Sequence, residues 1–142
     1  MAKKEITTLL KQEIALNIQT IATDTVTTGD AIDLASFGGG VNIIFSTGTL
    51  TDGTYTPLIT ESATIGGAYG VVAAEDLVKQ DPSSTLEADA QAVLIASNSS
   101  SKVGYVGSKR FIKAALVSAD TTSGSLVNAL VIKAGDVAPV AA

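Results

Sequence analysis

Short runs of β-branched and aliphatic residues recur along this chain, each closed by a glycine, an Asp-Gly pair or a proline. That rhythm constrains the fold more than any other feature, because residues alternating with a period of two bury one face of a strand and a turn signal ends it. Ile14, Leu16, Ile18 and Ile21 nearly alternate with polar residues in this way. Thr23 to Thr28 is a polar, β-prone stretch closed by Gly29-Asp30. Ala31 to Leu34 is a short strand. Val41 to Thr47 is the clearest core strand, and Asp52-Gly53 is a turn able to take positive φ. Tyr55 to Glu61 reads as the returning strand. Its Pro57 belongs at an edge or a bulge, since proline cannot complete a ladder bond.

Further along, Ala74 to Val78 can form one helical turn, with Glu75 and Asp76 at its positive end. Gln91 to Ile95 reads as a strand although its neighbourhood has helical composition. Val103 to Val106 and Phe111 to Ser118 read as a hairpin around residues 107–109. After a turn at 121–125, Leu126 to Lys133 is the closing strand, and residues 134–142 are an extended small-residue tail. About eight short antiparallel strands with frequent turns specify an all-β domain, a sandwich or a closed, barrel-like sandwich. The domain spans 14–133. Residues 1–13 precede it as a short helix or an arm, because Ile6, Leu9 and Leu10 have helical spacing. This segment either covers one end of the domain or docks on a neighbour.

Composition decides what chemistry is open. The 142 residues contain no histidine and no cysteine. The usual neutral-pH general base, the Ser–His and Cys–His pairs and thiolate metal sites are therefore absent. Asp24, Asp30, Asp33 and Asp52 do not follow a calcium-loop spacing, and Asp30 and Asp52 sit beside glycine where backbone hydrogen bonding explains them. Residues 38–40 and 66–70 are glycine-rich but lack the lysine and following helix of a phosphate loop. No catalytic residue, metal or cofactor is expected. With aromatics at only 4%, the core must come from Val, Ile, Leu and Ala, and modest stability follows. No apolar run reaches the ~20 residues of a membrane span. The net charge of -5 disfavours phosphate backbones, so no direct nucleic-acid contact is expected. Lys102, Lys109, Arg110 and Lys113 form the one basic concentration. They read as a solubilising tip or as a positive patch for an acidic protein partner.

Several motifs together resemble a known family. They are the run 29–34 (Gly-Asp-Ala-Ile-Asp-Leu), Phe37 before a strand, the run 48–57 (Gly-Thr-Leu-Thr-Asp-Gly-Thr-Tyr-Thr-Pro), Glu61-Ser62, the run 71–77 (Val-Val-Ala-Ala-Glu-Asp-Leu) and the run 103–112 (Val-Gly-Tyr-Val-Gly-Ser-Lys-Arg-Phe-Ile). In this order, from about Thr20 to Val131, they resemble the small capsid cement or decoration proteins encoded beside the capsid genes of tailed bacteriophages. At 63–67 an Ala-Thr-Ile-Gly-Gly stretch stands where that family usually carries an acidic turn. The resemblance implies a jelly-roll-like β-sandwich that binds the outer surface of the capsid and clamps major capsid protein subunits together. It implies a non-enzymatic structural protein of the virion, assembled in the bacterial host cytoplasm and self-associating as a dimer or trimer. A neck, tail or head-fibre role is the nearest alternative, and a carbohydrate-binding module a more distant one. The residues expected at protein interfaces are Ile6, Leu9 and Leu10 in the arm and Lys109, Arg110 and Lys113 on the basic hairpin. Tyr55 and Tyr69 are added because tyrosine suits partly wet contacts, although either could equally sit at the edge of the core.

Overall fold

A computed structural model describes residues 9–35, 37, 40–78 and 96–135. Among these residues ten strands form two antiparallel sheets. The first sheet has the order β1 (Leu10–Ile21), β10 (Ser125–Ala134), β4 (Gly40–Thr47), β8 (Ser100–Tyr105), β7 (Leu77–Val78). The second has the order β2 (Val26–Thr28), β9 (Phe111–Ala119), β5 (Thr54–Ser62), β6 (Gly70–Val71), with β3 (Ile32–Asp33) also pairing with β9. Between them lies one apolar core. Phe45, Tyr55, Ile43, Ile59, Leu77, Ile112 and Leu116 are completely buried there.

The alternation that specifies each strand also specifies its faces. In β10 the odd-numbered residues Val127, Ala129 and Val131 are buried and the even-numbered ones are not. In β4 the same holds for Val41, Ile43, Phe45 and Thr47. Pro57 lies in the stretch of β5 that β6 leaves uncovered, because β6 pairs only with Thr60 and Glu61. Its missing N–H therefore costs no ladder bond on that side, as the sequence led us to expect.

Three expectations are corrected. Residues 10–13 do not form a helix: Leu10, Lys11, Gln12 and Glu13 pair with Ala134, Lys133, Ile132 and Val131, so the strand starts at Leu10. Ladder pairing supplies every backbone bond that a short terminal helix would otherwise make alone, and a lone short helix is marginal in water. Residues 1–8, with Ile6, lie outside the described residues, as do the expected strand 91–95 and the tail beyond 135. Among the described residues the only helical turn is a 3-10 turn at Ala74–Asp76, and Leu77–Val78, expected to complete it, is strand.

The second correction concerns pairing. The expected hairpins at 51–54 and 107–109 do not exist as paired strands. β4 and β5 lie in different sheets, and so do β8 and β9. At these turns, as at 121–124, the chain crosses from one sheet to the other. Gly53 does take the positive φ of 82° that an Asp-Gly turn allows.

The third correction is within β1. Register shifts lie between Ile14 and Leu16 and between Leu16 and Gln19. Ala15 and Leu16 are both buried, while Ile14 and Ile18 are 55% and 64% exposed. With these bulges, Ile14 and Ile18 face outward while Leu16 and Ile21 face the core.

Carboxylates hold the crossing between β9 and β10. Asp52 accepts hydrogen bonds from the backbone N–H groups of Gly124 at 2.8 Å, Thr122 at 3.1 Å and Ser123 at 3.1 Å. Asp24 accepts from the Thr121 N–H and hydroxyl, both at 2.8 Å. These donors hold both carboxyls below the usual carboxylate range. A folded-state value below the unfolded one means that the stabilisation is complete above the unfolded value of about 4 and is lost as pH falls through the folded value. The melting temperature should be flat above about pH 5 and fall below about pH 4. Asp52→Asn should melt lower at neutral pH and show a shallower acid decline, measured by circular dichroism across that range.

Candidate protein-docking surface

The sequence-predicted interface residues do not converge. Tyr55 is fully buried and donates its hydroxyl to the Ile21 carbonyl at 2.8 Å, so it is a core residue and not a contact residue. Tyr69 is half-buried near β6, and its hydroxyl donates to the Ile65 carbonyl at 3.0 Å. Lys113, on the outer face of β9, places its Nζ 4.3 Å from the centre of the Tyr69 ring. Leu9 is half-buried and its carbonyl accepts from Gly135 N–H. Leu10 is 40% exposed on β1.

Lys109 and Arg110 lie elsewhere, at the β8–β9 crossing, beside a cleft of about 660 Å³ lined also by Leu34, Phe37 and Tyr105. That cleft is internally balanced. The Arg110 guanidinium grips Asp33 with two hydrogen bonds of 2.9 Å. This pairing, helped by Ala35 N–H, pulls the Asp33 carboxyl far below its ordinary range. Tyr105 donates to the Glu61 carboxylate and accepts from Lys109 N–H at 3.1 Å. Burial, with Glu61 beside it, pushes the phenol up. The tyrosine therefore stays a neutral donor that ties the cleft wall to β5. The fourth basic residue, Lys102, is on β8, opposite Ile44 and in the other sheet from Lys113. The four basic residues thus make no single patch.

A different surface gathers apolar side chains. On the outer face of the first sheet, Ile14 pairs with Leu130 and Leu130 pairs with Ile44, an aliphatic row across three neighbouring strands. The next row toward one end is Gln12, Ile132, Asn42, and beyond it Leu10, Ala134, Gly40. Toward the other end Leu126 stands opposite Thr20 and is 48% exposed. Leu130, Ile132 and Ile44 are half-buried, and Lys102 of β8 stands opposite Ile44 at the end of the row. Comparison with protein-family models, curated proteins and solved structures returns no match. The chemistry of the surface must therefore be read from its own residues.

Those residues suit contact rather than catalysis. Short aliphatic side chains on a rigid sheet carry little rotamer entropy, so burying them against a partner costs less order than burying lysines or glutamates. Polar Gln12, Asn42, Asn128 and Ser46 flank the aliphatic row and can satisfy a polar rim. Among the described residues no group of three or more Asp or Glu is placed to hold a metal ion. The signal for this surface was present in the sequence. Residues 126–132 are apolar at both parities except for Asn128, the mark of a strand with two apolar faces rather than one.

Proposed function

We propose that this protein is a jelly-roll-like structural component of a phage virion that docks on the outer surface of the capsid and links major capsid protein subunits. The observation that carries this reading is the outward-facing aliphatic row of exposed Ile14 with half-buried Leu130 and Ile44. Contiguous apolar surface on the outer face of a sheet commonly marks a protein-contact site. Two further features support it. The chain passes from one sheet to the other between successive strand groups, giving the orders β1-β10-β4-β8 and β2-β9-β5-β6, as in a jelly roll of two interleaved Greek keys. The motifs at 48–57 and 103–112 resemble those of capsid cement proteins. A carbohydrate-binding reading has little to rest on, since Phe45, Tyr55, Tyr105 and Phe111 are buried and only Phe37 and Tyr69 are half-buried.

Docking would act by mass action over many copies. Each protein that binds the closed arrangement of its capsid neighbours, and not the opened one, makes opening less favourable. Co-sedimentation with cognate shells lacking this protein tests the reading. Saturable binding at a fixed number per capsomer is expected. Retention on isolated tails or connectors with none on shells would contradict the capsid reading and place the protein in the neck or tail.

A further inference from the structure

Strand β1 is the outer strand of the first sheet, and among the described residues nothing pairs with its far edge. It is long, 12 residues, and contains no proline. Such an edge offers a row of unpaired donors and acceptors to another strand.

The geometry points to a second copy of this chain as the partner, paired antiparallel through β1 about a two-fold axis at Gln12. Three observations fix that register. The first is hydrogen-bond parity. Leu9 carbonyl accepts from Gly135 N–H, so Leu9, and by alternation Lys11 and Glu13, direct their backbone groups toward β10. Leu10, Gln12 and Ile14 direct theirs to the free edge. An axis at Gln12 pairs Gln12 with Gln12 of the second copy and Leu10 with its Ile14, so every outward group meets an outward group.

The second observation is charge. The same axis sets Lys11 opposite Glu13 of the second copy, twice by symmetry, in the closely spaced pairs of an antiparallel ladder. Lys11 needs such a partner. Within its own chain it stands opposite Lys133, whose ammonium already takes Glu13. Its only described contact is with the Phe37 ring, 6.0 Å from Nζ to the ring centre. The Glu13 side chain remains 36% exposed, so its carboxylate can accept a second cation.

The third is shape. The regular part of β1 ends at the register shift after Ile14, and the proposed pairing uses residues 10–14 only. Leu10 and Ile14 of the two copies then join into one aliphatic surface across the axis. A two-fold contact of this kind is closed and isologous, so it yields a dimer and no fibre. The inference needs no capsid and stands or falls independently of the capsid reading.

The absence of cysteine makes a direct test simple. In a hydrogen-bonded antiparallel pair the facing Cα atoms are ~5.5 Å apart, within disulfide reach. Full-length Gln12→Cys should form a covalent dimer under mild oxidation at least about tenfold faster than Leu126→Cys, an exposed position on the same sheet. Lys11→Glu, which sets like charges against each other at both ends of the pairing, should weaken the dimer about tenfold in sedimentation equilibrium. A chain that sediments as a monomer or a trimer, or Gln12→Cys and Leu126→Cys cross-linking at equal rates, would overturn the proposal.

Discussion

Lys133→Ala should lower the unfolding free energy by about 3 kcal/mol, while Lys133→Met should cost about 1 kcal/mol. Lys133 is only 1% exposed. Its ammonium pairs with the Glu13 carboxylate, donates to the Asp33 carbonyl at 2.9 Å and lies 4.4 Å from the centre of the Phe37 ring. It therefore joins β1 and β10 of one sheet to β3 of the other. Truncation to alanine opens a void along the four-carbon stem and removes all three contacts. Methionine refills the stem volume, and Glu13, partly exposed, can turn its charge to water. Urea denaturation of both variants with unchanged m-values measures the difference. Equal losses would mean that the charge, and not the packed stem, dominates.

Gly124→Ala should cost at least about 4 kcal/mol or prevent folding, because it combines two faults at one residue. Gly124 has φ of 68°, which alanine adopts only with strain. An added Cβ would also lie 1.8 Å from the Ile21 carbonyl oxygen and 2.7 Å from its carbon. Both are backbone atoms, so no rotamer change relieves the clash. The damage reaches the crossing as a whole, since Gly124 N–H donates to Asp52 and its carbonyl accepts from Thr51 N–H at 3.2 Å. Gly66→Ala is the control. Nothing lies within 4 Å of its added Cβ, and its melting temperature should match that of the unchanged protein.

Strand positions were legible in the sequence wherever alternation and turn chemistry agreed. Val41 to Thr47, Tyr55 to Glu61, Phe111 to Ser118 and Leu126 to Lys133 each fall within the observed strand, which is longer by a residue at one or both ends. Partners were not legible. A turn signal states where the chain reverses, not whether the next strand pairs with the last one or crosses the core, and at 51–54, 107–109 and 121–124 it crosses. The start of β1 misled for a different reason. Leu9, Leu10 and Ile14 have helical spacing, but ten residues of β10 supply a ladder that local spacing cannot reveal.

The candidate surface was only partly legible. Sequence proximity grouped Lys102, Lys109, Arg110 and Lys113, yet one lies on each sheet's outer face and two at the crossing between them. Tyr55 looked suited to an interface because its ring is amphipathic, but its hydroxyl finds the Ile21 carbonyl inside the core. Among the named candidates that lie in the described residues, Leu10 alone belongs to the aliphatic face. Ile14, Ile44, Leu130 and Ile132, which complete it, lie within predicted strands, but local sequence does not show that their side chains share one outer face.

The most direct measurement compares one charge placed on each outer face in the shell-binding experiment. Leu130→Glu puts a carboxylate in the middle of the aliphatic row on the first sheet, and Val117→Glu puts one on the outer face of the second, where Val117 is half-buried between Val26 and Thr56. With both variants folded by circular dichroism, Leu130→Glu should lose at least about tenfold in affinity for shells and Val117→Glu should bind as the unchanged protein does. Loss in Val117→Glu with full binding in Leu130→Glu would contradict the assignment of the docking face.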